Sequence, residues 1–208
     1  MNRRRLIATY RWLFGLLTLV ALVFQFSVSS QKPGFNSLNF FGFFTNLGNL
    51  FAAVVFLGGA IGPSAPTSSK LDLLRGAAVL CMALTGVVFT LLLSDVDILV
   101  LPSVNIVVHY LMPAVVVADW VVDPPQAQLA MRQGLRWLGI PLAFVVYSLV
   151  RGRFIHWYPY PFLSPDVVGY RGVFIYCACM FIGLVVLTWG IVAVGNALRR
   201  GRTPGSGR

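Results

Sequence analysis

Six separate apolar stretches constrain this chain more than any other property of its sequence. A helix rises 1.5 Å per residue and needs roughly 20 apolar residues to cross the hydrocarbon of a bilayer. Tyr10 to Val28, Phe40 to Ile61, Gly76 to Leu93, Val104 to Val122 and Val173 to Val194 meet that length. Trp137 to Leu149 is short by itself. It has to borrow from Leu129 to Arg136, with Arg132 and Arg136 turning their charged ends toward the head groups. The runs are continuous rather than alternating, which favours helices over a membrane β-barrel. Composition agrees, because only 11% of residues are charged and mean hydropathy is +0.81. A soluble domain carries about a quarter charged residues. The expected fold is an all-α integral membrane protein of six transmembrane helices: a basic segment 1–9, a helical domain 10–195 and a basic, disordered tail 196–208.

The net charge of +10 raises nucleic acid as a partner, but its arrangement points elsewhere. Arg3, Arg4 and Arg5 precede the first span with Arg11 at its start, and Arg199, Arg200, Arg202 and Arg208 follow the last. Basic residues gathered at span ends read as orientation signals and contacts to anionic lipid, and no nucleic-acid partner is expected. With both termini inside, Lys70, Arg75, Arg132 and Arg136 join those eight, leaving Lys32, Arg151, Arg153 and Arg171 outside. The positive-inside rule therefore places both termini in the cytoplasm, in what reads as a bacterial plasma membrane. The first run also resembles a leader with a weak cleavage site at Ser27-Val28-Ser29, but it is longer than the usual core of about 7–15 residues. It is read as a retained helix.

Pro/Gly-rich punctuation at 62–66 and Asp123-Pro124-Pro125 marks helix stops. Arg151 to Arg171 forms the longest outer connection, its aromatics suited to the membrane interface or to a lid. His156 within it reads as interfacial. Cys81, Cys177 and Cys179 read as small buried packing residues, since disulfide and metal spacings are missing. Gly58-x-x-x-Gly62 permits a close helix contact, on weak grounds. No internal repeat marks an inverted-repeat transporter.

Polar residues inside the apolar spans carry the functional signal, because they are costly in hydrocarbon. Thr45, Asn46 and Asn49 cluster near the start of the second span, and Asn105 and His109 near the start of the fourth. Thr45 and Asn49 share a helix face, as do Asn105 and His109. On the six-span topology Thr45 and His109 each lie about five residues below the outer boundary, roughly 8 Å deep. Pro113 cannot donate to the carbonyl of His109, which predicts a kink and a small hydrated cavity there. The chemistry that fits is acyl transfer, with Thr45 as nucleophile and His109 as base. Asn105 is placed to hold the imidazole, and Asn46 or Asn49 to donate to a developing oxyanion. Asp119 is about 15 Å beyond His109 along the helix, too far to orient it, and reads as a solvated or paired end residue. Histidines are too few for paired haems, and serine-elbow and zinc spacings are missing. No cofactor and no metal is expected. Helix-gluing amides and a hydroxyl bonded to its own helix are the bland reading of the same residues.

Three blocks of sequence also resemble the androgen-induced gene family of small six-span membrane proteins, in its prokaryotic branch. They are Phe43-Phe44-Thr45-Asn46-Leu47-Gly48-Asn49; Asn105 with His109-Tyr110-x-x-Pro113 and Asp119-Trp120; and Tyr158-Pro159-Tyr160-x-Phe162-Leu163. The resemblance covers roughly residues 10 to 195. It implies a threonine hydrolase of fatty acid esters of hydroxy fatty acids, with Thr45 and His109 as its catalytic pair. Tyr110, Tyr158 and Tyr160 become candidates for the substrate pocket or its lid. The expected partners are a lipid or fatty acyl ester substrate and the surrounding membrane lipids. A carrier or membrane sensor built around the same pocket is the competing reading.

Overall fold

The structure, a computed structural model, describes residues 2–61, 69–94 and 100–201. It contains six helices long and apolar enough to cross a membrane, and no strand among the described residues. We number the helices α1 (Arg3–Ser30), α2 (Ser37–Phe40, a single turn), α3 (Phe44–Ile61), α4 (Ser69–Leu93), α5 (Pro102–Val122), α6 (Met131–Ile155) and α7 (Pro165–Arg200). The short sixth stretch of the sequence is thus lengthened at both ends, to Met131 on one side and through Arg151 and Arg153 on the other. The aromatic connection shrinks accordingly to the residues between Ile155 and Pro165, and Arg171 lies within α7. The helix stop at Asp123 is observed, and residues 196–200 of the tail expected to be disordered are instead the last turn of α7, whereas 62–66 and 202–208 lie outside the described residues.

The central helix is α4. Ala77, Ala78, Leu80, Cys81 and Met82 are all at most 4% exposed, packed against α3, α5 and α7. Around it the outer faces carry Leu13, Val23, Leu91, Phe174 and Ile182, all exposed, as a lipid-facing surface requires. Small residues set the closest approaches. A Cβ on Gly15 of α1 would stand 2.9 Å from Leu57 of α3, and one on Gly76 of α4 only 2.3 Å from the Trp137 ring of α6. Gly58 by contrast faces open space, and Gly62 lies outside the described residues, so that motif makes no close contact through Gly58. Of the cysteines only Cys81 is buried; Cys179 is exposed on the apolar surface, which corrects its reading as a core residue.

One end of the bundle is locked by charge. Arg11 of α1 donates to both carboxylate oxygens of Asp119 on α5, at 2.7 and 3.1 Å, and to Asp123 at 2.9 Å. Arg75 of α4 donates to Asp119 at 2.8 Å, to Asp72 at 3.3 Å and to the carbonyl of Asp123. Asp72 in turn accepts from the Gln126 N–H at 2.9 Å. Arg11, Asp72, Arg75 and Asp119 are each no more than 5% exposed. Arg11 therefore binds carboxylates, not lipid head groups as the sequence reading had it, and Arg75, counted there only as an inner positive charge, does the same. Apolar surroundings make an unpaired charge intolerable, and these three helices supply one another's partners. Burial opposes ionisation of Asp123, but Arg75 and Arg11 prevail and hold its carboxyl below the usual range. Trp120 closes the same end, its indole N–H donating to the Ile191 carbonyl at 3.1 Å.

Candidate functional site: an intramembrane Thr–His–Asn array

Thr45 is the second residue of α3, and not five residues into a continuous helix as the sequence suggested. The chain first makes the single turn α2, capped by the Asn36 side chain on the N–H groups of Leu38 and Asn39. It then breaks at Phe41–Phe43 before α3 begins. Asn46 holds the break, donating its amide to the Phe40 carbonyl at 2.7 Å. The first N–H groups of a helix have no intrahelical acceptor. Here the Thr45 N–H donates to the phenolic oxygen of Tyr160 at 3.3 Å, from the loop between α6 and α7.

His109 sits on a widened turn of α5, Val107–Leu111, in which the Met112 N–H reaches back five residues to Val107. Pro113 lies just beyond and lacks the N–H that this register would direct at Val108. The carbonyl left to an outside donor is therefore that of Val108, one residue from the His109 carbonyl expected from an ordinary helix. Asn49 satisfies it: its amide nitrogen donates to Val108 at 3.0 Å and to Thr45 at 2.9 Å. Across from the widened turn, Gly86 of α4 leaves room for the proline, since a Cβ there would stand 3.1 Å from Pro113.

These devices bring the two spans together. Thr45 Oγ1 lies 3.2 Å from His109 Nε2, and His109 Nδ1 lies 2.6 Å from Asn105 Oδ1. An amide oxygen can only accept, so Nδ1 carries the imidazole proton and Nε2 presents its lone pair to the hydroxyl. That is the tautomer a general base requires. Phe89 stacks on the imidazole at 3.9 Å and 18° from parallel, fixing the plane of the ring. Thr45 and His109 are 9% and 5% exposed, so the pair is largely shielded from water.

Two cavities meet at Thr45. The larger, about 450 Å³, is lined by His109, Asn46, Asn39, Gln25 and Lys32 among aromatics that include Phe43 and Trp157. A smaller one, about 90 Å³, is almost wholly apolar, formed by Phe144, Phe162, Met180, Leu184 and their neighbours. Thr45, Phe89, Leu93 and Tyr160 line both. A molecule with a polar part and a greasy part can thus lie across the hydroxyl.

Not every sequence candidate takes its expected place. Asn105 does hold the ring. Asn49 cannot serve an oxyanion, because both amide hydrogens are engaged by carbonyls, while its oxygen is buried with no partner. Asn46 keeps one hydrogen free for the larger cavity. Tyr110 points away: it is 47% exposed and contacts the Phe89 edge, outside both cavities. Tyr158 is a packing residue rather than a lid, lying so close to Gly152 that a Cβ there would be 2.2 Å from its ring. Tyr160 lines both cavities as expected of a pocket residue. His156 is exposed and closes α6 in a left-handed conformation, φ 52°. Phe89 was missed, since one aromatic in an apolar helix gives no signal of its own. The same holds for Gln25, whose amide oxygen accepts from the Leu101 N–H at 3.0 Å while lining the larger cavity. No family model, curated protein or solved structure matches this chain.

Proposed function

We propose that this chain is an intramembrane threonine hydrolase that cleaves lipid esters. The observation that carries the reading is the array Thr45–His109–Asn105, with 3.2 and 2.6 Å between its members, set where the almost wholly apolar cavity meets the larger one that also carries amides and Lys32. In the first step Thr45 Oγ1 bonds to the ester carbonyl carbon while its proton passes to His109 Nε2. Asn105 keeps the ring oriented and accepts from Nδ1–H as the imidazolium forms. The tetrahedral intermediate then expels the alcohol oxygen, which takes the proton from His109. Water, deprotonated by the same nitrogen, attacks the acyl-threonine, releasing a fatty acid and restoring Thr45.

The acyl chain suits the small apolar cavity, and the alcohol portion suits the larger one with its amides and Lys32. The Arg11–Asp119–Arg75 cluster ties the other end of the bundle together with buried ion pairs, which favours hydrolysis over carriage. The charge bias of the termini supports a site in the outer half of a bacterial plasma membrane. The resemblance to the androgen-induced gene family selects the same Thr45 and His109, with fatty acid esters of hydroxy fatty acids as first substrates to try. The test is to incubate the purified protein with such esters and with a fluorophosphonate. Turnover and labelling are expected, and both should vanish in Thr45→Ala and His109→Ala. Activity surviving both substitutions rejects the proposal.

A further inference from the structure

We propose that Tyr160 is a catalytic residue, donating its phenolic hydrogen to the oxyanion that forms when Thr45 adds to the ester. This rests on the hydrolase reading above and deepens it. An acyl-transfer site needs hydrogen-bond donors aimed where the carbonyl oxygen gathers charge, and the nucleophile's own N–H is a common source. At Thr45 that N–H is already directed at the Tyr160 oxygen, 3.3 Å away. The phenol oxygen is thus the acceptor at the positive end of α3, and its own hydrogen remains to be given. Accepting N–H bonds strengthens that hydrogen as a donor. Tyr160 in effect passes the positive end of the helix on to the reacting carbonyl.

Position supports the role. Tyr160 is 9% exposed and, with Thr45, lines both cavities, so an ester lying across the hydroxyl also lies against the phenol. Its ring is fixed by stacking on Phe162 at 5.1 Å and by the edge of Phe43 at 5.9 Å. Burial raises the phenol above its ordinary range, which keeps it protonated. The amide competitors are depleted, Asn49 having no hydrogen to spare and Asn46 only one. The proton balance is unchanged by this role: the Thr45 proton goes to His109, and Tyr160 retains its own while sharing it with the negative oxygen until the alcohol leaves.

The test compares Tyr160→Phe with wild type in the full chain, measuring kcat and KM for a fatty acyl ester and the fluorophosphonate labelling rate of Thr45. The phosphoryl oxygen of the probe occupies the oxyanion position. Loss of one such donor lowers kcat by about 10²–10³, so a fall of that order is expected in kcat and labelling, with KM little changed. Wild-type rates in the Phe variant would overturn the role and assign the oxyanion to the N–H groups directly. Should the Phe variant fold poorly, 3-fluorotyrosine at position 160 preserves the packing and acidifies the phenol. The alkaline limb of its pH–rate profile should move to lower pH, and an unmoved limb overturns the proposal. Thr45→Ala and His109→Ala run in parallel. If they too retain turnover, the hydrolase reading itself fails.

Discussion

Two amide side chains at the site each do one thing, and substitutions separate them. Asn105 fixes the tautomer of His109 rather than touching substrate. Asn105→Leu should therefore approach the loss expected of a general base, about 10²–10⁴ in kcat, with substrate affinity kept. Asn105→Asp should retain much of the rate, yet its carboxylate would stabilise the imidazolium. The acid limb of the pH–rate profile should then move to higher pH, and an unmoved limb would show that the residue does not contact the ring in solution. Asn49 is structural by the same logic. Asn49→Leu strands the buried carbonyl of Val108, which no N–H of its own helix reaches, at a cost of roughly 1–3 kcal/mol when unpaired, so thermal stability in detergent should fall along with activity.

At the scale of the helices, the site depends on two irregularities. The wide turn of α5 exists because Pro113 withholds a donor and Asn49 supplies one in its place. Pro113→Ala restores the N–H and lets the turn tighten, rotating His109 away from Thr45. A misplacement of about 1 Å costs roughly 10² in rate, so labelling of Thr45 should drop by that order while the melting temperature holds or rises. The loop after α6 is the second irregularity. Gly152→Ala drives a Cβ into the Tyr158 ring, at an overpacking cost of about 1–3 kcal/mol. The loop should then shift and carry Tyr160 from the α3 terminus, lowering activity although Thr45 and His109 remain 3.2 Å apart.

For the whole molecule, the charged cluster ties α1, α4 and α5 together far from the reacting groups. Asp119→Asn removes the carboxylate shared by Arg11 and Arg75 and leaves buried guanidinium charge poorly matched, a loss of about 3–5 kcal/mol. Thermal unfolding in detergent should register it, while the activity of the folded fraction changes little. Acid should act through the same cluster. The folded Asp123 carboxyl is held low, so its contribution is present above the unfolded value of about 3.9 and is lost as pH falls through the folded value. Wild type should lose stability below about pH 4 more steeply than Asp123→Asn.

Sequence alone determined the number of membrane-length helices and singled out Thr45, His109 and Asn105 as polar residues within them, because apolar length and polar interruption are local properties of the chain. Even Asp119 could be read as paired, though not with whom. Tertiary structure decided the rest, for reasons that no single helix contains. Arg11 looked like a head-group ligand and Arg75 like a mere orientation charge until α5 brought Asp119 between them. Asn49 looked like an oxyanion donor until the widened turn of α5 claimed its second hydrogen for Val108. Tyr110 and Tyr158 are as aromatic as Tyr160, but only the third meets the first turn of α3. Which hydrogen bonds a side chain has left to give depends on what the neighbouring helices have already taken, and that is settled by packing.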